Sequence, residues 1–538
     1  MNTGNGPFNF ANYRGPIMRK YTIVTLILLI LCLNTAIFAG ADDDSEKNLY
    51  WVYFTDKEFV QQGAPLPADI EITHLTDRAL NRREMRSSIG LLTYYDVDIA
   101  ASYIEEIENL GLEIRTKSRW LNAISILATE GEIVLLNGKP HIRGTSRVRK
   151  VSKRAVKKIS RDEETLLDSG EYGYSFEQLQ QINAIAAHDS GFTGAGVLVL
   201  MLDTGYRTDH EAFSGDRILA ERDFIQDDSI TTNQEGDHAN QHNHGTMTAT
   251  TLGGFKDSIL VGVAYECDFL LAKTEILDQE IEIEEDLYVA GLEWGEALGA
   301  DVSSSSLGYL DWYTYEDLTG NLAVTTIAID IAVSLGLACV TAAGNEGSNT
   351  WHYIIAPADA DSVISVGAVN SQGTIASFSS YGPSADGRIK PEVCAQGVST
   401  FTASAASPNA YTAASGTSLA TPLVGGAVAL IIQAHPDWTP MEVREALMMT
   451  ASQNSSPDNH YGFGIIDIIA AINYNQDMNY GDLNLDGNLN IHDVVLAVEW
   501  TMNLSTLNAN QIQLLDLNFD QAINVLDIVI LIDWVLTF

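Results

Sequence analysis

A chain of 538 residues with 46% hydrophobic and 19% charged residues has the composition of ordinary globular protein, with length for about three domains. Its net charge of −41 argues against nucleic acid as a partner. Of its four cysteines Cys32 falls in a segment expected to be removed, and the odd three left, Cys267, Cys339 and Cys394, exclude a dense disulfide framework. These three read as small buried apolar residues, with one disulfide plus one free thiol as the alternative.

The charge is unevenly placed. Residues 1–161 carry 22 Lys and Arg against 18 Asp and Glu, whereas residues 162–538 carry 8 against 53. A solubility surface suited to a salty medium and attraction between the two parts are both consistent with this pattern. At the start, Arg19-Lys20, the aliphatic run Ile23 to Leu33 and the small residues Ala39-Gly40-Ala41 read as an export signal over 18–41, with Met18 as the true start. The apolar run is shorter than the roughly 20 residues that span a bilayer, so membrane contact is transient and the product is expected outside the cell or at its surface.

Leu49 to Phe54 reads as a strand, Ala101 to Leu110 as a helix with Ile104 and Ile107 on its apolar side, Trp120 to Leu127 as a strand, and Glu132 to Leu136 as the end of a helix. This small α+β unit is expected to end near residue 142. The run Arg143 to Lys158 holds eight positive charges and no negative one, and reads as a mobile linker open to proteolysis. From 172 to 474, buried apolar runs (Gly196 to Leu202, Leu335 to Thr341, Ser362 to Val369) alternate with helical stretches, which implies a doubly wound α/β domain with a parallel sheet. The segment 480–538 contains an internal repeat beginning at Asp482 and Asp516.

Three motifs in the α/β region carry chemistry: Asp203-Thr204-Gly205 after a buried strand, His244-Gly245-Thr246 after a polar loop, and Gly416-Thr417-Ser418-Leu419-Ala420-Thr421-Pro422 leading into an apolar helix. Amide hydrolysis needs a nucleophile, a base, and a group that orients the base, and serine, histidine and a buried aspartate supply these. A fourth motif, Ala342-Ala343-Gly344-Asn345, offers a side-chain amide as an oxyanion donor. His238, His242 and His244 could also be read as a zinc cluster, but their spacing matches no usual helical ligand pair, and a polar loop is expected. His210 is expected to be structural.

In order and spacing, DTG (203–205), HGT (244–246), SSLG (305–308), AAGN (342–345) and SGTSLATP (415–422) resemble the subtilisin-like serine peptidases. The resemblance implies a secreted endopeptidase acting on polypeptides through an acyl-enzyme. Asp203 would be the orienter, His244 the base and Ser418 the nucleophile, with Asn345 and the Ser418 N–H as oxyanion donors. It also implies that Ser306, Leu307 and Gly308, with Ala343 and Gly344, bind an extended substrate backbone. Leu419, Met247 and Gln396 stand where the family usually has Met, His and Pro. Residues 48–155, above all 118–129, resemble the family's inhibitory propeptides, which implies an intramolecular inhibitor released by cleavage between about Lys150 and Glu171.

In the repeat, Asp482, Asn484, Asp486, Asn488, Asn490 and Asp493 occupy positions 1, 3, 5, 7, 9 and 12 of a calcium loop, with Gly487 at the turn. Asp516, Asn518, Asp520, Asn524 and Asp527 repeat the pattern, with Gln521 in place of the glycine. Each copy leads into an apolar helix, Val494 to Trp500 and Ile528 to Leu536. The pair resembles a type I dockerin, which implies Ca2+ binding and a cohesin-type partner. The alternative to the enzyme is a catalytically silent protein whose task is calcium-dependent docking.

Overall fold

The computed structural model of the protein is described over residues 47–67, 70–148, 170–213, 215–277, 283–474, 480–485, 488–502, 506–515, 517 and 523–537. The expected export signal, most of the basic run and Asp486, Asp516, Asn518 and Asp520 of the expected calcium loops lie outside these residues.

The amino-terminal unit is built on strands β1 (Asn48–Phe54), β2 (Glu113–Ser118), β3 (Ala123–Ala128) and β4 (Ile142–Arg147). They form an antiparallel sheet in the order β2-β3-β1-β4. Helices α2 (Ala101–Asn109) and α3 (Glu130–Leu136) bury Ile104, Ile107, Ile133 and Leu136 against one face of this sheet. An earlier helix, α1 (Asp77–Arg86), does not pack there.

Two expectations change. The unit does not end near residue 142, because β4 extends it to Arg147 by pairing with β1. The first residues of the basic run are therefore sheet rather than linker. Arg143 lies over the Tyr53 ring, 5.4 Å from its centroid, so a residue read as solvated charge packs on an aromatic face.

The large unit is a seven-stranded sheet made of β5 (Leu198–Asp203), β6 (Ile218–Asp223), β7 (Asp268–Lys273), β8 (Val302–Ser305), β9 (Ala338–Ala342), β10 (Ile364–Val369) and β11 (Val393–Gln396). The order is β11-β10-β9-β8-β5-β7-β6, and every neighbouring pair is parallel. Strand side chains alternate between faces. Val199 and Met201 of β5 join one core with helices α4 (Asn243–Gly253) and α7 (Thr417–Ala434). Leu198, Leu200 and Leu202 join another with α5 (Ile283–Leu298) and α6 (Val324–Ser334). This double burial is why β5 is an unbroken apolar run. Helix α7 is long and apolar enough to cross a membrane, but it is 89% buried as the core helix. The three cysteines of the large unit are buried and free.

The amino-terminal unit docks on α5 and α6. Trp51, Trp120, Leu121 and Ala123 enter the same apolar core as Tyr288, Leu292 and Ala328. Glu293 accepts hydrogen bonds from Ser118 Oγ at 2.5 Å and from the backbone N–H groups of Arg119 and Trp120. Helix α1 reaches past this contact to the amino-terminal edge of the large sheet. There Arg82 and Arg83 pair with Glu296, and Arg78 and Arg86 pair with Asp301. The charge asymmetry seen in the sequence is thus realised partly through a helix that sequence reading did not single out.

The carboxy-terminal segment carries α8 (Ile491–Thr501), α9 (Ala509–Leu515) and α10 (Val525–Thr537) around Leu483, Val494, Ala497, Leu515, Leu517 and Leu531. In both copies of the repeat the twelfth residue folds back in the same way. Asp493 accepts from Leu483 N at 2.9 Å and Asn490 N at 2.9 Å, and Asp527 accepts from Leu517 N at 3.0 Å and Asn524 N at 2.7 Å.

Candidate active site

Strand β5 ends at Asp203, and its carboxylate comes out fully buried at the carboxyl edge of the sheet. Parallel α/β sheets form their sites at this edge. Four donors meet the carboxylate: Thr204 N at 2.7 Å, Thr204 Oγ1 at 3.2 Å, Thr248 Oγ1 at 2.9 Å and His244 Nδ1 at 2.7 Å. Because a carboxylate only accepts, Nδ1 carries the hydrogen and Nε2 is left as the acceptor. Burial disfavours the charged imidazolium, but the Asp203 carboxylate outweighs it and holds the His244 pKa above its ordinary value.

His244 is the second residue of α4, so its position depends on how closely that helix approaches the end of β5. The approach requires Gly245, where a Cβ would stand 2.3 Å from Gly205 O and 3.0 Å from Asp203 Cβ. The polar loop before α4 is anchored rather than free. Gln241 donates to Thr204 O at 2.8 Å and to Glu275 O at 2.6 Å, and accepts from Leu277 N at 3.0 Å. Buried Lys273 bridges Asp223 and Asp237, each at 2.8 Å. No group of three or more His, Cys, Asp or Glu able to hold a metal is present among the described residues. His210 is buried and bonds Ala410 O at 2.8 Å, a structural contact.

Ser418 is the second residue of α7, after Gly416 at the cap. Pro422 lies four residues further along and has no N–H, so the Ser418 carbonyl lacks its helical donor. Ser306 Oγ supplies one at 2.9 Å, and Ser418 Oγ in turn donates to Ser306 O at 3.3 Å. This reciprocal pair ties the turn holding Ser418 to the end of β8. The Ser418 hydroxyl is bonded to Ser306 O and not to His244. The helices that carry the two residues pack together, and Met247, three residues past His244, shares a small apolar cluster with Ala414 and Leu419.

Asn345 reaches the same turn. Its Oδ1 accepts from Thr417 N at 2.9 Å and Thr417 Oγ1 at 3.1 Å. A Cβ placed on Gly416 would stand 3.7 Å from Ser418 N, 3.7 Å from Asn345 Oδ1 and 3.8 Å from Asn345 Nδ2, so the Asn345 amide and the Ser418 N–H lie near one another. Ser306, Leu307 and Gly308 continue β8 beyond the sheet, and Ala343 and Gly344 continue β9. Sequence reading missed Thr248, which lies one turn after His244 on the face toward Asp203. It also missed the Ser306–Pro422 relation, for which a proline four residues after the serine was the available signal.

Residues 194–464 match the model of the subtilase family, and residues 49–164 match the peptidase S8 propeptide domain of Bacteroidota. A subtilisin from Bacillus pumilus is 36% identical over 295 residues, which cover 54% of this chain and 97% of that protein. An alkaline protease from Alkalihalobacillus alcalophilus is 32% identical over 457 residues, 84% of this chain and 98% of that one. A solved protease structure from Pseudoalteromonas arctica PAMC 21717 is 27% identical with a TM-score of 0.47, covering 57% of this chain and 99% of the other. The chain belongs to the subtilase family. It is a subtilisin-like serine peptidase that carries a propeptide domain.

Proposed function

We propose that this chain is a secreted serine endopeptidase made as a zymogen, with residues 172–474 as the catalytic domain, 48–155 as its intramolecular inhibitor and 18–41 as a signal removed on export. The observation that carries the catalytic reading is the 2.7 Å bond from His244 Nδ1 to the buried Asp203, which leaves Nε2 free to act as a base. In this reading a polypeptide lies extended along Ser306 to Gly308. The Ser418 hydroxyl turns from Ser306 O, gives its proton to His244 Nε2 and attacks the carbonyl carbon. Asp203 stabilises the imidazolium, and the Ser418 N–H and Asn345 side chain hold the oxyanion. The imidazolium then protonates the leaving amine, and water repeats the sequence to release the acyl group. The test is labelling with a fluorophosphonate, followed by mass spectrometry. Adduct on Ser418 is expected, and an adduct elsewhere, or none after propeptide removal, overturns the assignment.

Two further results are expected. Because Asp203 holds the proton on His244, kcat/KM falls on the acid side with a midpoint above the roughly 6.5 of an ordinary histidine. Asp203→Asn removes that attraction, so the limb moves to lower pH while kcat drops by about 10⁴-fold. A pH–rate profile of both proteins checks the shift. Asn345→Ala is expected to lower kcat by about 10²–10³-fold with KM little changed, because the donor acts only once negative charge develops on the carbonyl oxygen.

The carboxy-terminal segment, 480–538, is proposed as a calcium-binding module that docks on a cohesin-type partner. The loop residues that fit are Asp482 and Asp493, buried carboxylates eleven positions apart, together with the oxygens of Asn484, Asp486, Asn488 and Asn490. Their counterparts in the second copy are Asp516, Asn518, Asp520, Asn524 and Asp527. Oxygen-only donors in this spacing suit Ca2+. Adding a chelator is expected to lower the melting temperature of this module, as read by calorimetry of the full chain, and an unchanged trace would count against calcium.

A further inference from the structure

Behind the candidate oxyanion site, two glycines face a single side chain. Gly308 lies on the segment that continues β8, and Gly344 on the segment that continues β9. The stretch Ile355–Ala356 is strung between these walls. Tyr309 N donates to Ala356 O at 2.7 Å, Ala356 N donates to Tyr309 O at 3.1 Å, and Ile355 N donates to Ala343 O at 3.2 Å. A Cβ added to Gly308 would stand 2.5 Å from Ile355 Cδ1 and 2.7 Å from Cγ1. One added to Gly344 would stand 3.1 Å from Cγ1 and 3.2 Å from Cδ1. Two glycines opposite each other would leave a slot walled by backbone, and the end of the Ile355 side chain fills it. Ile355 is only 9% exposed, so it is held there by packing.

This slot has a defined relation to the chemistry proposed above, on which the inference rests. A substrate extended along Ser306 to Gly308, with its carbonyl carbon at Ser418 and its oxygen toward Asn345, directs the side chain preceding the cleaved bond between these two walls. We infer that Ile355 closes the floor of this pocket, so that the enzyme cleaves after small residues (glycine, alanine, serine) and rejects large apolar and aromatic ones. The chemistry is steric. A benzyl or isobutyl group needs the volume that the Ile355 Cγ1 and Cδ1 atoms occupy, and a packed interior does not yield that volume without strain. A methyl group needs none of it. Discrimination by pocket size alone is on the order of 10–200-fold for a single methylene and accumulates for larger groups.

The test uses the full chain after self-processing and four tetrapeptide p-nitroanilides that differ only in having Gly, Ala, Leu or Phe before the leaving group. The parent is expected to favour Ala over Phe by at least about 10-fold in kcat/KM. Ile355→Gly is expected to raise the Phe rate by about 10²-fold and to invert the preference. Ile355→Ala, a smaller change that protects the test if the glycine variant fails to fold, should move the ratio part of the way. A parent that cleaves after Phe as fast as after Ala, or an Ile355→Ala ratio equal to the parent's, overturns the inference while leaving the catalytic reading intact. No cleavage of any of the four, with no fluorophosphonate adduct on Ser418, overturns the catalytic reading and the pocket with it.

The chain's own processing gives a second readout. Between Lys150 and Glu171 the small residues are Ser152, Ala155, Ser160, Ser169 and Gly170. Amino-terminal sequencing of the self-processed protein is expected to place the cut after one of these. A cut after Leu166 or Leu167 that is absent from Ser418→Ala would overturn the inference.

Discussion

Ser418→Ala is expected to lower kcat by about 10⁶-fold, the order seen when the nucleophile is removed from subtilisin, and to leave the propeptide covalently attached. The size of the effect follows from what the methyl group cannot do. The acyl-enzyme route is closed, and only the oxyanion donors and substrate binding remain, worth about 10³–10⁴-fold over water. The fold should not change, because the lost Ser418 Oγ bond to Ser306 O is a single contact at 3.3 Å, while the bond from Ser306 Oγ to the Ser418 carbonyl is kept. Casein hydrolysis and gel mobility of the full chain check both parts. A variant that still processes itself would remove Ser418 from the mechanism. A circular-dichroism melting curve like that of the unprocessed parent, together with lost activity, distinguishes chemistry from misfolding.

Glu296→Gln should weaken the hold of the propeptide by about 3–5 kcal/mol, or about 10²–10⁴-fold in affinity after processing, the usual cost of leaving a buried charge without its partner. Glu296 has a side-chain exposure of 2%, and it takes both Arg82 and Arg83 of α1. Arg83 Nε and Nη2 each lie 2.7 Å from its two oxygens, a bidentate pair. Burial alone would raise the Glu296 pKa, but the two guanidiniums bring it below the usual carboxylate range. The contact is therefore fully present above the ordinary carboxylate pKa and is lost only when the pH falls through the lowered one. Mild acid should not release the propeptide at this place. In the variant, one uncharged amide oxygen remains for both guanidiniums, and Arg82 otherwise bonds only the backbone carbonyls of Ala300 and residue 296. Arg83 keeps Asp96 within the propeptide itself, at 2.7 Å. The expected readout is faster recovery of peptidase activity after self-processing, along with a higher inhibition constant for the added propeptide. Unchanged values would mean that the apolar contact of Trp51 and Trp120 carries the docking alone.

Much of this was legible in the residues because it is local. A strand buried on both faces must be apolar throughout, so β5 announced itself, and Asp203 at its end had to emerge at the sheet's edge. The expectation that Asp203 and His244 meet rested on motif chemistry, and the 2.7 Å contact between them agrees with it. The α5–α6 docking surface was legible only in outline, through the excess of acid in one part and base in another. Helix α1 was not legible at all. Its sequence, DRALNRREMR, is polar or charged at seven of ten positions and reads as a solvated segment, yet Arg82 and Arg83 are each 1% exposed. Long-range carboxylates make that burial tolerable, and nothing within the helix signals them. β4 was misread for the same reason, since a basic run is ordinarily solvated and its pairing with β1 is a contact across about 90 residues.

By itself, then, the sequence determined the family and singled out the candidate groups for acyl transfer, because motif spacing and hydrophobic period are properties of neighbouring residues. Only the tertiary structure decided what surrounds those groups. It set Ser306 against the carbonyl that Pro422 leaves without a donor, closed four arginines onto Glu296 and Asp301, and placed Ile355 between Gly308 and Gly344. Each of these joins segments far apart in the chain, and each depends on distances of a few ångströms that no local pattern encodes.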